Sequence, residues 1–206
     1  MFSCCKNSAA IFAEPAPESS KKKMGSRPIL HMDEEETTII ENTWNELKEG
    51  DKQNEFIEIL FKEFFKLDPQ AKELFLTFAQ DIDEGLYNSY PFKHHCEIFA
   101  FHIGLAVKYM RDNLKLATFL SQLGKVHDNI FLIRENYGKE DKENHAKMNE
   151  HFAISEKALQ MALKTHFGDK LTKPVSDAWA KFYLLQINMI LNEVEICNRD
   201  PSPPVK

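Results

Sequence analysis

The chain has 206 residues, of which 43% are hydrophobic and 28% charged, with sixteen Phe, two Trp and a net charge of -6. That is one ordinary domain with tails, apolar enough to close a core, so full-length disorder and a collagen-like chain are excluded. No window reaches the roughly 18 uninterrupted apolar residues of a membrane-spanning helix. The N-terminus also lacks the charged start, apolar run and small-residue cleavage site of a secretory leader. Cysteines stand at 4, 5, 96 and 197, without zinc-type spacing or disulfide-scaffold density. The expectation is an intracellular protein, cytoplasmic or at the cytoplasmic face of a membrane. Charge is uneven: residues 1–28 carry five Lys/Arg against two Glu, a balance of +3, and the remainder carries 21 against 30, a balance of -9. An acidic folded part does not wrap nucleic acid.

Residues 1–32 are rich in Ser, Pro and Lys without period and read as a disordered, weakly basic tail, ahead of a domain over 33–198 and a short C-terminal tail over 199–206. Thr38 is placed to cap a first helix with Ile40, Trp44 and Leu47 inward and Gly50 at its end. A second starts at Asn54, with Phe56, Ile59, Leu60, Phe64 and Leu67 inward. Asp68-Pro69 restarts the chain as a short helix reaching Phe75, and 79–90 reads as loop. Pro91 opens a long helix with Phe92, His95, Phe99, Ile103, Ala106, Val107 and Met110 on one face. Another runs from about Lys115 through Leu116, Leu120, Leu123, His127 and Phe131. Residues 134–147 are almost wholly polar, a solvated connection or an exposed helical excursion. Two further helices carry Met148, Phe152, Leu159, Leu163 and Phe167 before Gly168, and Val175, Ala178, Trp179, Phe182, Leu185 and Met189 after Pro174. No strand alternation competes, so the class is all-α.

Among eight histidines, His31, His145, His151 and His166 sit in polar surroundings or near helix ends and read as solvated. His95 and His127 differ, because each lies on an apolar stripe where an imidazole lacking a partner costs roughly 1–3 kcal/mol. Either alone can be a core histidine bonded to a carbonyl or a buried hydroxyl. Two neighbouring helices aiming both at one greasy gap suit a flat, metal-bearing ligand such as haem. Zinc suits the gap less well, since it normally takes three or four ligands and Cys96 points about 100° away from His95 on the helix.

At these residues the chain resembles the globin family, of the neuroglobin and cytoglobin type and with the extended N-terminal tail of an invertebrate-type member, over about residues 37–196. IIENTWNEL is similar to the first globin helix. ILFKEFFKLDPQAKELFLTF is similar to the stretch from the second helix past the third, with Pro69 six residues before Phe75 and Phe78 three beyond. FKHHCEIF resembles the distal helix, FLSQLGKVH the proximal one, and Gly168 with TKPVSDAWAKFY the start of the last. The resemblance implies a globin fold of about seven or eight helices in a three-over-three arrangement. It implies haem b (iron protoporphyrin IX) as cofactor, with His127 as proximal iron ligand and His95, 32 residues earlier, as distal ligand. His94 is the competing distal choice and turns toward solvent. Phe75 would lie against the porphyrin, Phe61, Phe78 and Phe99 would line the distal side, and Leu123, Ile130, Leu132 and Phe152 the proximal one, with ordinary core packing as the alternative for each Phe. His102 reads as a pocket-edge or core histidine. Phe99 stands where most globins carry a smaller aliphatic residue, leaving less room for a diatomic ligand. Ile98 and Phe131 replace usual propionate partners, with Lys93, His94 or Arg134 as substitutes.

MFSCCK followed by Lys21, Lys22 and Lys23 resembles an S-acylation site at Cys4 and Cys5 beside a polybasic patch, a two-signal anchor for peripheral membrane attachment. The expected function is a bis-histidyl globin, not an enzyme, that binds oxygen, carbon monoxide or nitric oxide in redox or gas sensing, with a redox or signalling protein as partner. The alternative is a haem-free globin-like interaction module in which His95 and His127 are core residues.

Overall fold

The computed structural model describes residues 31–73, 84–133 and 141–199. Met32, at the edge of the expected tail, is only 6% exposed and packs into the core. Helix α1 spans Glu34–Glu49, and its start is one turn earlier than Thr38. Asp33 is the cap: its carboxylate accepts from the Glu36 amide while the Glu36 side chain accepts from the Asp33 amide, a reciprocal capping box. Thr38 instead donates its hydroxyl to the Glu34 carbonyl inside the helix.

Helix α2 covers Gln53–Leu67 and α3 covers Pro69–Glu73. Asp68 joins them, accepting at Oδ1 from the Ala71 amide at 3.1 Å. Part of the expected loop at 79–90 is a helical turn, α4 at Glu84–Asn88, pinned by the fully buried Leu86. Five residues are too few to show a helical period, which is why the spacing misses it. Ser89 caps α5, Tyr90–Tyr109, by accepting from the Phe92 amide, so Pro91 occupies the first turn rather than opening the helix. Helix α6 runs Asn113–Ile133, two residues ahead of Lys115. Helix α7 spans Asp141–Phe167, so residues 141–147 of the polar segment are helical, while 134–140 lie outside the described residues. Gly168 takes a left-handed φ of 54°, where a Cβ would be strained. It starts a 3-10 turn, Gly168–Lys170, that leads into α8 at Lys173–Arg199.

Among the described residues there are eight α-helices and no strand. They form two layers of three, α1, α5 and α6 over α2, α7 and α8, with α3 and α4 at one end. At the centre Trp179 packs against Trp44, Phe56 and Phe182 with ring centroids 5.9–6.3 Å apart. Its indole N–H donates to the Thr43 hydroxyl at 2.9 Å, and that hydroxyl donates to the Ile39 carbonyl. Helix α1 crosses α5 at Gly104, where a Cβ would stand 3.4 Å from the Trp44 indole nitrogen. Around its rim α1 is tied by charge: Arg111 forks onto Glu34 and Glu41, Lys181 reaches Glu36 and Lys170 reaches Glu46.

Helix α5 packs most extensively on α2 and α6 on α8, with a smaller contact between α5 and α6. The site lies between these two helices.

Candidate functional site

His95 and Phe99 are one turn apart on α5 and share a face. Phe61 of α2 meets both rings edge-on, at 5.1 Å for His95 and 5.2 Å for Phe99. Phe92 joins from below, its ring 6.3 Å from that of Phe61. His94 is turned outward: it stacks on the exposed Tyr90 with ring centroids 5.6 Å apart, and its side chain is 38% exposed. Lys93 is exposed as well. Cys96 faces α2 and is buried, which pushes its thiol up to about 12, so it is a packed neutral thiol.

On α6 the ring of His127 is fixed by its own helix. Its Nδ1–H donates to the Leu123 carbonyl one turn earlier at 2.8 Å. With the proton on Nδ1, the Nε2 lone pair is directed away from the helix, the arrangement in which an imidazole binds a metal. Phe152 of α7 lies against that ring at 6.4 Å, and Leu123 packs on the core. Ile130 and Leu132 are on α6 but outside the residues whose side chains are described. Phe75, Phe78, Arg134, Cys4 and Cys5 lie outside the described residues.

Both imidazoles are kept neutral. Burial is the main cause that drives His95 down to about 4. Burial lowers His127 too, opposed by its bond to Leu123. His102, further along α5, is driven to about 4 by burial and by His127, and its ring meets Phe119 edge-on at 5.9 Å. Among the described residues no cluster of three or more His, Cys, Asp or Glu could hold a metal ion. No helix among them is long and apolar enough to cross a membrane.

His102 sets a pH dependence. Below the ordinary imidazole value of 6.5 the unfolded chain binds a proton that the folded chain refuses until about 4. Stability therefore falls as pH drops through that window and is fully present above it. In the protein without added ligand, the His102 share of the loss between pH 7 and 5 is about 1–2 kcal/mol. Urea midpoints at the two pH values should converge in His102→Leu relative to the parent; an unchanged gap would remove His102 from the account.

The sequence reading missed one polar pair. His151, expected to be solvated, has a side chain only 15% exposed and directs Nδ1 to the buried carboxylate of Asp68 on the other side of the α2–α7 interface. The available signal was spacing: His151 stands one turn before Ser155 on the packed face of α7. Ser155 is buried too, accepting from the Tyr183 hydroxyl at 2.9 Å and donating to the Phe152 carbonyl. His166 packs edge-on against Phe56 and Phe167 instead of standing in water.

Comparison with known proteins gives the same architecture. A family model described as Globin matches residues 58–190, more than half of the chain. No match is found among curated proteins. Among solved structures, the crystal structure of a hexacoordinated heme protein from an anhydrobiotic tardigrade at pH 4 is similar over 82% of this chain and 99% of that one, with a TM-score of 0.64 and 19% identity.

Proposed function

Because the chain belongs to the globin family, we propose that it is a haem-binding globin whose iron is held by His127 and, when no external ligand is present, also by His95. The observation that supports this most directly is the His127 ring, whose proton is fixed on Nδ1 by the Leu123 carbonyl so that the Nε2 lone pair is available, with His95 set against Phe61 on the neighbouring helix α5. An apolar gap with Phe61 and Phe99 on one side and Phe152 on the other suits a flat, greasy tetrapyrrole, and the donor set matches haem iron. The tardigrade protein of like fold is itself described as a hexacoordinated heme protein.

Bound haem b supplies an iron that changes between ferrous and ferric states and takes up oxygen, carbon monoxide or nitric oxide. The chain's own residues do the rest. His127 anchors, and the Leu123 carbonyl holds its ring in the right tautomer. His95 would compete with an external ligand for the iron, lowering its affinity by the fraction of molecules in which His95 is displaced. Phe61 and Phe99 exclude water and narrow the space beside His95. The proposed role is redox or gas sensing through a protein partner rather than storage, and binding rather than turnover. Acylation of Cys4 and Cys5 would hold the protein at the cytoplasmic face of a membrane. Hydroxylamine-sensitive lipid on the full-length protein, lost when both are changed to Ser, is the result this requires.

The test is an absorption spectrum after hemin is supplied, in ferric, ferrous and carbonyl forms. The expected ferrous form is low-spin. His95→Leu should convert it to high-spin and raise carbon monoxide affinity roughly tenfold or more. A chain that stays colourless with hemin would instead be the haem-free interaction module.

A further inference from the structure

The separation of His95 from His127 depends on more than the contact of α5 with α6, because each of these helices packs more extensively on another. Helix α5 rests on α2, α6 rests on α8, and α7 packs against both α2 and α8. The spacing of α5 and α6 therefore also depends on the α2–α7–α8 stack. Within that stack the α2–α7 interface holds the buried pair of Asp68 and His151. Asp68 is 7% exposed and uses both carboxylate oxygens, Oδ1 on the Ala71 amide and Oδ2 on His151 Nδ1. A carboxyl group this deep is tolerated only while its hydrogen-bond partners stay in place, so the pair resists any sliding of α7 along α2.

Each end of the pair shares a helix, or its end, with a ring that touches an imidazole. Asp68 lies seven residues, or about two turns, beyond Phe61, which abuts His95. His151 immediately precedes Phe152, which abuts His127. We propose that the Asp68–His151 pair is a positioning device that fixes the distance between the two imidazoles and so sets the share of the protein in which both hold the iron. This rests on the haem-binding reading above. Neither residue touches the iron; they act through the helices that carry Phe61 and Phe152.

The experiment uses the full chain with and without hemin. Three variants bear on it: Asp68→Asn, His151→Leu, and His151→Asn, whose amide nitrogen can stand where Nδ1 stood. With hemin, Asp68→Asn and His151→Leu should shift part of the ferrous spectrum from low-spin to high-spin and raise carbon monoxide affinity about threefold or more, whereas His151→Asn stays near the parent. Combining Asp68→Asn with His151→Leu should add little to the larger single effect, as partners in one contact do. Without hemin, the same two variants should speed amide exchange at Ala71. Should Asp68→Asn fail to fold, His151→Leu against His151→Asn decides alone. Faster exchange at Ala71 with an unmoved ferrous spectrum and gas affinity would overturn the proposal and leave the pair purely structural. A parent chain that takes up no hemin would remove the haem-binding reading and this inference with it.

Discussion

His127→Ala should abolish stable haem uptake while leaving the helices intact. The imidazole is the proximal donor proposed above, its Nε2 left available by the Nδ1 bond to the Leu123 carbonyl at 2.8 Å. Losing an outer-shell partner of a metal ligand typically costs about 10–100-fold in affinity, and losing the ligand itself costs more. The fold should bear the change because His127 is not one of the residues of the core cluster that holds Trp179. Hemin titration followed by gel filtration reads the loss, and free imidazole in the buffer should restore part of the colour by filling the vacated space. A helical variant that kept its pigment and ligation unaltered would end the haem-binding account.

Trp179→Ala should cost about 3–5 kcal/mol, comparable to much of the 5–15 kcal/mol by which domains are stable. Trp179 is 1% exposed, contacts rings from α1, α2 and its own helix, and donates its N–H to Thr43 at 2.9 Å. Trp179→Phe should cost less than half as much, since it keeps most of the apolar volume and Thr43 can still donate to the Ile39 carbonyl. Urea unfolding at constant slope is the measurement. A loss under about 1 kcal/mol for the alanine variant would mean the core repacks around the hole, against the burial seen here.

The long helices were legible because their burial follows one period: Ile40, Trp44 and Leu47 on α1 and Phe92, Ile103 and Val107 on α5 are all buried as the spacing requires. The same logic singled out His95 and His127, since an imidazole on a Phe-rich stripe stands out. What stayed hidden was either too short or too far apart in the chain. Helix α4 is held by the packing of Leu86 and not by any pattern of its own. The Asp68–His151 contact joins residues 83 positions apart, and each alone resembles an ordinary polar residue near a helix end. The Asp33–Glu36 box was readable in DEEE, but Thr38, closer to the first apolar residue, competes for the same role.

The placement of His95 and His127 on the neighbouring helices α5 and α6 has a consequence for the life of the protein in a cell. A tetrapyrrole held by them as proposed would become interior, so it would stabilise the native state in proportion to its abundance, as any ligand does that prefers folded over unfolded chain. Newly made copies lacking it open more often and meet proteases sooner. Steady-state levels of the polypeptide should then rise and fall with tetrapyrrole synthesis, even at constant transcription.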